Sequence, residues 1–355
     1  MPDISEDAIR DALSQVQDPA GGDIVSSGRV EGVIVRDGNV GITLKVAEGE
    51  AEALTALRTE AEAAMRGVSG VLSATCVLTS HSEGETEEAA RRAPDRSIPE
   101  VFDRIGAVVA VASGKGGVGK STIAVNLALA LQAGGKRVGL LDADIYGPSA
   151  PQLLDIRDKP DLTDDKKLIP IEKYGLHTMS IGYMVAPEQA MVWRGPMVQS
   201  ALIQMCEEVA WPELDILVLD LPPGTGDIQL TMAQRIPVAG ALVVSLPDKL
   251  SLADVRRALA MFMRVEIPVL GVVENMCGLT TPDGQVVYPF GQLGEAAMRE
   301  AVAADYLGAI PLDPAVQTAN ESGVPVAIAD PNAPLAAVFA DLAARIADRL
   351  NDSEN

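Results

Sequence analysis

Val109-Ala110-Val111-Ala112-Ser113, running directly into Gly114-Lys115-Gly116-Gly117-Val118-Gly119-Lys120-Ser121, is the stretch on which the fold turns. An apolar run that ends in a burst of glycines reads as a buried strand leaving a sheet. Gly114, Gly116, Gly117 and Gly119 let the backbone come close to phosphates and take dihedrals that a β-carbon would penalise. Lys120 can reach the terminal phosphates and Ser121 can ligate magnesium. The helix expected over 122–133 aims its first amides, starting at Thr122, at the same negative charge. Strand, loop, Lys-Ser pair and helix together predict a nucleotide site. Because Lys120 reads as a loop residue, its replacement by alanine is expected to remove phosphate binding and spare the fold.

Outward from that loop, Val138–Leu141, Ile216–Leu219, Ala241–Val244 and Val269–Val273 join 108–112 as short buried strands of a mainly parallel sheet. Helices are expected over Ser251–Met263 and Leu335–Leu350. Ligand sites in such α/β domains gather where strands end and helices begin. Three strand ends carry suitable chemistry. Asp142-Ala143-Asp144 offers Asp144 to orient a water or act as a weak base and Asp142 to support a magnesium environment, although both also suit a strand-end cap. Asp220, before Leu221-Pro222-Pro223-Gly224-Thr225-Gly226-Asp227, is placed to bind magnesium through water, and the following turn can move with the state of the terminal phosphate. Asn275 can pair with an adenine edge or cap a turn. These residues leave ATP and GTP both open.

Before residue 100 the pattern changes. A helix over 5–16, a hairpin turning at Asp37-Gly38-Asn39, a second helix over 51–65 and a strand over 71–78 predict a small α+β unit spanning 1–79. Residues 80–99 are acidic and then proline-containing, which reads as a linker holding an incidental His81, and 100–355 remain for the nucleotide domain. Aromatic residues are 3% of a chain that is 48% hydrophobic, so aliphatic side chains and alanine must fill the cores.

The formal charge of −22 arises from 50 acidic against 28 basic residues spread along the chain, which argues against a nucleic-acid scaffold. The acidic start lacks the basic and apolar regions of a signal peptide, and no stretch suits a bilayer crossing. A cytoplasmic protein without stable membrane association is expected. Phe339, Leu342, Ile346 and Leu350 share a helical face, but Asp341 and Asp348 oppose an anionic membrane, so that face is expected to pack inside the domain. Cys76, Cys206 and Cys277 are too far apart in sequence to indicate a disulfide framework or an intrachain zinc motif.

Gly114–Ser121 with its additional Lys115, together with Asp142-Ala143-Asp144 and Asp220–Asp227, resembles the Mrp/ApbC family of iron-sulfur cluster carrier ATPases, within the MinD-like deviant Walker A group. Gly271-Val272-Val273-Glu274-Asn275-Met276 and Trp193-Arg194-Gly195-Pro196-Met197 narrow the resemblance to Mrp, and residues near 5–78 are similar to a small domain often attached to these ATPases. The resemblance implies a P-loop NTPase domain with a mainly parallel sheet, preceded by the small α+β domain. It implies ATP and magnesium as cofactors, ATP hydrolysis, a homodimer, and apo iron-sulfur proteins as partners. By the same resemblance Lys115 reaches across the dimer to the partner's nucleotide and Lys120 serves its own. Ser121 and Asp220 attend magnesium, Asp144 positions the hydrolytic water, and Asn275 contacts adenine.

The chain departs from that family at the cluster. Many relatives carry a Cys-x-x-Cys pair where this sequence has Thr281 and Gly284. Cys277 is the nearby candidate, one sulfur from each subunit, whereas a protein-ligated cluster takes four thiolates. The small domain also lacks a cysteine near Ala47-Glu48-Gly49-Glu50, which favours a partner-binding or regulatory surface over a metal site there, with helix docking or a purely structural role almost equally compatible with the sequence. The alternative class is a nucleotide-controlled interaction or positioning protein that carries no cluster.

Overall fold

The computed structural model describes residues 6–18, 21–36, 39–45, 55–68, 71, 73–79, 100–184, 205, 207–226, 229, 232, 235–302 and 304–353. The expected linker at 80–99 with His81, Asp37 and Gly38 of the hairpin turn, Ala47–Glu50, Trp193–Met197, Cys206 and Asp227 lie outside the described residues. The chain divides into two compact units, Met1–Asp95 and Arg96–Asn355.

In the first unit, helix α1 (Glu6–Leu13) is followed by strands β1 (Val30–Arg36) and β2 (Asn39–Lys45), helix α2 (Thr55–Arg66) and strand β3 (Ser73–Thr79). The sheet order is β1-β2-β3, with β2 antiparallel to β1 and parallel to β3. Ile9 and Leu13 of α1 and Met65 of α2 are buried against Ile42 and Leu44 of β2, as an amphipathic helix on a three-stranded sheet requires. Cys76 is part of this apolar core.

The second unit is built on an eight-stranded sheet of order β13-β10-β9-β4-β8-β5-β7-β6. Its strands are β4 (Ile105–Ser113), β5 (Val138–Asp142), β6 (Ile171–Lys173), β7 (Leu176–Ser180), β8 (Leu214–Asp220), β9 (Val238–Ser245), β10 (Val269–Glu274) and β13 (Tyr306–Ala309). All neighbouring pairs are parallel except β6 with β7. Strands buried on both faces need near-continuous apolar sequence. That is why β4, β5, β8, β9 and β10 were legible as runs. β6 and β7 were not anticipated, because Glu172, His177 and Thr178 interrupt the apolar pattern toward the sheet edge.

Helix α3 (Lys120–Ala133) packs on β4, β5 and β8, while α5 (Lys249–Arg264) packs on β4, β9 and β10; α4 is the single turn Ala150–Leu153. Beyond β10 come a two-stranded ribbon, β11 (Leu279–Thr280) with β12 (Val286–Val287), and then α6 (Gly294–Val302). The chain continues through α7 (Pro314–Ser322) and α8 (Val326–Ala329) to α9 (Pro334–Ser353), which packs on α3. Phe339, Leu342, Ile346 and Leu350 of α9 are buried in the core, as expected from their spacing. Among the described residues no helix is long and apolar enough to cross a membrane.

Phe339 is 1% exposed, so Phe339→Ala is expected to cost the second unit about 3–5 kcal/mol in urea unfolding. Asp341→Ala, on the exposed face of the same helix, should stay within about 0.5 kcal/mol of wild type.

Candidate nucleotide site

β4 lies between β9 and β8, and its C-terminal end opens into the glycine-rich loop. Two strand-to-loop bonds seat this end: Leu221 N–H donates to Val111 O at 3.0 Å and Gly224 N–H donates to Ser113 O at 2.9 Å. Ser113 Oγ in turn donates to Lys115 O at 2.9 Å. Gly114 is required by space, since a β-carbon there would lie 2.5 Å from Asp254 of α5. Gly119 is required twice over, by a φ of +83° and by Asn275 Nδ2, which a β-carbon would approach to 2.3 Å. Gly119 caps α3 with no side-chain hydrogen bond, and the first bond of the helix runs from Ile123 N–H to Gly119 O. The earlier amides of this turn therefore have no intrahelical acceptor and form a donor set for an anion.

Lys120 is the first residue of α3 and is only 6% exposed. Its Nζ lies 2.5 Å from Asp220 Oδ1, 3.9 Å from Asp144 Oδ2 and 3.3 Å from Ser121 Oγ. The expectation that Lys120→Ala would spare the fold is corrected here. Removing a buried ammonium leaves Asp220, 2% exposed, without its counter-charge, a change that costs about 3–5 kcal/mol.

Asp142 and Asp220 are register partners on adjacent strands, so two buried carboxylates end side by side. Burial, and then the charge of Asp220, push the Asp142 carboxyl well above the ordinary range. Burial also raises Asp144. Asp142, Asp144 and Asp220 thus face one buried lysine, and Asp144 Oδ1 is buried with no hydrogen-bond partner. An excess of carboxylate with an orphaned oxygen fits a divalent cation or its water. Among the described residues no group of three or more His, Cys, Asp or Glu could hold a metal ion alone. The unpartnered Asp144 Oδ1 and the neighbouring Asp220 carboxylate fit magnesium, which takes one or two protein oxygens and completes its shell with water and phosphates.

Asp142 does not face outward to a metal. Its Oδ1 accepts from Asp144 N–H at 3.1 Å, and its Oδ2 accepts from Ser149 N–H at 2.9 Å, Ala150 N–H at 2.9 Å and Ser180 Oγ–H at 3.1 Å. The cap reading of this residue holds: both oxygens are committed to the chain, so Asp142 reaches the site through its charge, which acts on Asp220 and Lys120, rather than as a direct ligand.

At the end of β10, Asn275 Nδ2 donates to Val118 O at 2.8 Å, so its amide braces the phosphate loop and keeps a second N–H and Oδ1 for another partner. The Thr122 hydroxyl accepts from Asn320 Nδ2 at 3.3 Å, which ties α3 to α7 and leaves the backbone N–H as the part of Thr122 turned to the loop. Lys115 Nζ lies 3.6 Å from Asp248 Oδ2 on the same chain. Asp248 caps α5 by accepting from Leu250 N–H and Ser251 N–H, both at 2.9 Å. Pro247-Asp248 before an amphipathic helix is a cap signal that the reading from Ser251 onward missed.

Cys277 sits two residues beyond Asn275. Its thiol faces Glu274 Oε2 at 3.8 Å, which also accepts from Tyr306 OH at 3.0 Å. Burial, with the neighbouring Glu274 carboxylate, pushes the thiol up to about 12. Thr281 and Gly284 have a different role. They close the turn of the β11–β12 ribbon, Gly284 N–H donating to Thr281 O at 2.9 Å and Thr281 N–H to Gln285 O at 2.8 Å.

Comparison with known proteins fits this geometry. The ParA family described as NUBPL iron-transfer P-loop NTPase matches residues 104–347, and the family described as iron-sulfur cluster assembly protein matches 6–76. The chain belongs to the Mrp/ApbC-like iron-sulfur cluster carrier ATPase family. It is 49% identical over 251 residues to the iron-sulfur cluster carrier protein of Salmonella typhimurium, a match covering 68% of this chain and 66%, just under two thirds, of that one. It is 48% identical over 239 residues to the Pseudomonas fragi carrier, covering 66% of this chain and 83% of that one. Among solved structures, an Archaeoglobus fulgidus nucleotide-binding protein in complex with ADP is 36% identical with a TM-score of 0.56, covering 63% of this chain and 89% of that one. Pyrococcus furiosus MinD, at 20% identity and a TM-score of 0.52 over 69% of this chain and 99% of its own, shares the fold. As an Mrp/ApbC-like P-loop NTPase, the chain has the architecture of an ATP-binding protein.

A thiol raised from its ordinary value of 9.0 to about 12 holds less thiolate at any pH below that range, and the thiolate is the nucleophile. Iodoacetamide labelling of Cys277 at pH 8, followed by peptide mass spectrometry, is therefore expected to run about 100-fold or more below a free thiol. Glu274→Gln removes the adjacent charge and should speed labelling about tenfold.

Proposed function

We propose that this chain is a magnesium-dependent ATPase that works in iron-sulfur cluster handling as a homodimer in the cytoplasm. The observation that carries the ATPase reading is the buried Lys120–Asp220–Asp144 group at the start of the helix that follows the glycine loop, a helix with no side-chain cap at its N-terminus. Gly114, Gly116, Gly117 and Gly119 give the loop its shape; the amides from Gly116 to Thr122 hold the phosphates of ATP. Lys120 turns from Asp220 toward the terminal phosphates when they arrive, and Ser121 and Asp220 are the oxygens offered to magnesium, Asp220 through water. Magnesium, when bound, neutralises phosphate charge and fixes the terminal phosphoryl group. Asp144 accepts from the attacking water through its unpartnered Oδ1 and holds it in line. Lys115 must leave Asp248 to act on the partner subunit's nucleotide, so dimer closure exchanges a weak ion pair within one chain for a contact with phosphate.

ATP binding by folded protein tests the phosphate assignment. Wild type is expected to need magnesium for tight binding, and Lys120→Ala, shown folded by circular dichroism at low temperature, should bind at least about tenfold more weakly. Equal affinity would remove Lys120 from the site.

Cluster carriage is the reading that the named functions of the relatives favour, with one Cys277 from each subunit and acceptor ligands completing the coordination. The enclosed thiol favours the second reading, a nucleotide-controlled interaction protein without a cluster: Cys277 would have to leave Glu274 and lose its proton before it could bind iron. Anaerobic reconstitution with iron and sulfide, followed by metal analysis and transfer to an apo-acceptor, separates the two. A carrier yields a labile cluster in the homodimer that Cys277→Ser loses while ATP binding persists. Wild-type protein that hydrolyses ATP yet takes up no cluster, with nucleotide and acceptor present, supports the interaction protein.

A further inference from the structure

The segment between β5 and α4 leaves the sheet at Asp142 and returns to a helical turn at Ala150, carrying Asp144 on the way. Asp142 is 1% exposed and spends both carboxylate oxygens on this excursion. Oδ1 takes the N–H of Asp144 near its start, at 3.1 Å, and Oδ2 takes the N–H groups of Ser149 and Ala150 at its end, both at 2.9 Å. A fourth donor, the hydroxyl of Ser180 on β7, reaches Oδ2 at 3.1 Å and accepts in turn from Gly182 N–H at 3.1 Å. From the other side the carbonyl of Asp220 accepts from Ala143 N–H at 3.0 Å.

We infer that Asp142 is a positioning residue for ATP hydrolysis: its buried carboxylate clamps both ends of the 143–149 loop and thereby aims Asp144 at the attacking water. The inference rests on the proposed role of Asp144. The N–H groups of Ala150 and Asp144 favour the ionised form against burial and the charge of Asp220, and in that form the carboxylate accepts all four bonds because it presents lone pairs alone. Asparagine at this position replaces one acceptor oxygen with an N–H₂ group facing N–H groups, so at least one end of the loop is released. Asp144 then keeps its chemistry and loses its aim. Misplacement of a reacting group by an ångström is enough to slow a reaction about 100-fold. Asp142 acts on Lys120 through charge alone, with no hydrogen bond to it, so the larger part of the loss is expected in turnover rather than in ATP binding.

The test is a double-mutant cycle on steady-state ATPase activity. Asp142→Asn is expected to lower kcat about 10- to 100-fold with KM for ATP within about twofold of wild type. In an Asp144→Asn background the same change should cost little further, because a residue that acts through Asp144 has nothing left to position. Ser180→Ala keeps the carboxylate and removes one donor, so it covers the case in which Asp142→Asn does not fold. It should lower kcat by about two- to fivefold at unchanged KM, an effect that likewise disappears beside Asp144→Asn. Wild-type turnover in Asp144→Asn would overturn the Asp144 assignment and this inference with it. A slow Asp144→Asn protein in which Asp142→Asn or Ser180→Ala still exerts its full factor would leave Asp144 in place and overturn the positioning role alone.

Discussion

A lysine ammonium buried between the carboxylates of Asp220 and Asp144 is the interaction on which the site depends. Taking these charges out of water is expensive, and the cost is offset only if each keeps a partner. Lys120 opens α3, Asp220 closes β8 and Asp144 follows β5, so satisfying the charges ties three elements together at the point where the phosphate loop begins. The lysine is therefore part of the packed structure and cannot be treated as a detachable loop side chain. The charges are also out of balance, with more carboxylate than ammonium, and the imbalance is what a magnesium ion and its water would relieve.

The parallel sheet converts that local arrangement into a shared edge. Because the neighbours of β4, β5, β8, β9 and β10 within this run are parallel, their C-terminal ends lie along one edge. Ser113, Asp142, Asp220, Ser245 and Glu274 are the last residues of these strands. Each polar residue can leave the apolar layer only there, where the backbone turns and donors become available. The same edge binds the loop to its supports: α5 crowds Gly114 through Asp254, and Asn275 holds Val118.

Asn275 and Cys277 are separated by a single residue, and they face different partners. Asn275 grips the phosphate loop, while Cys277 lies with Glu274 and Tyr306. Met276 between them adopts a positive φ of 60°, which turns the chain so that the two side chains diverge. The phosphate loop and the thiol are thus joined by one short backbone segment. Membership in a cluster-carrier family and a cysteine whose thiol is enclosed by Glu274 are both facts of this protein, and they meet at this segment.

The sequence by itself determined the phosphate loop, the buried parallel strands and the small α+β unit ahead of them. Those features are written in adjacent residues: glycines before Lys-Ser, apolar runs of strand length, and amphipathic spacing. It did not reveal β6 and β7, whose edge positions tolerate polar residues, nor the cap at Asp248. Only the tertiary structure decided that Asp142 accepts from Asp144, Ser149, Ala150 and Ser180, that Asn275 holds Val118, that Lys115 rests on Asp248, and that the Cys277 thiol is enclosed by Glu274. Lys120 and Asp220 are 100 residues apart in sequence, and Asn275 and Val118 are 157 apart. Strand order and register bring such pairs together, and no local pattern encodes which distant partner a buried polar group will meet.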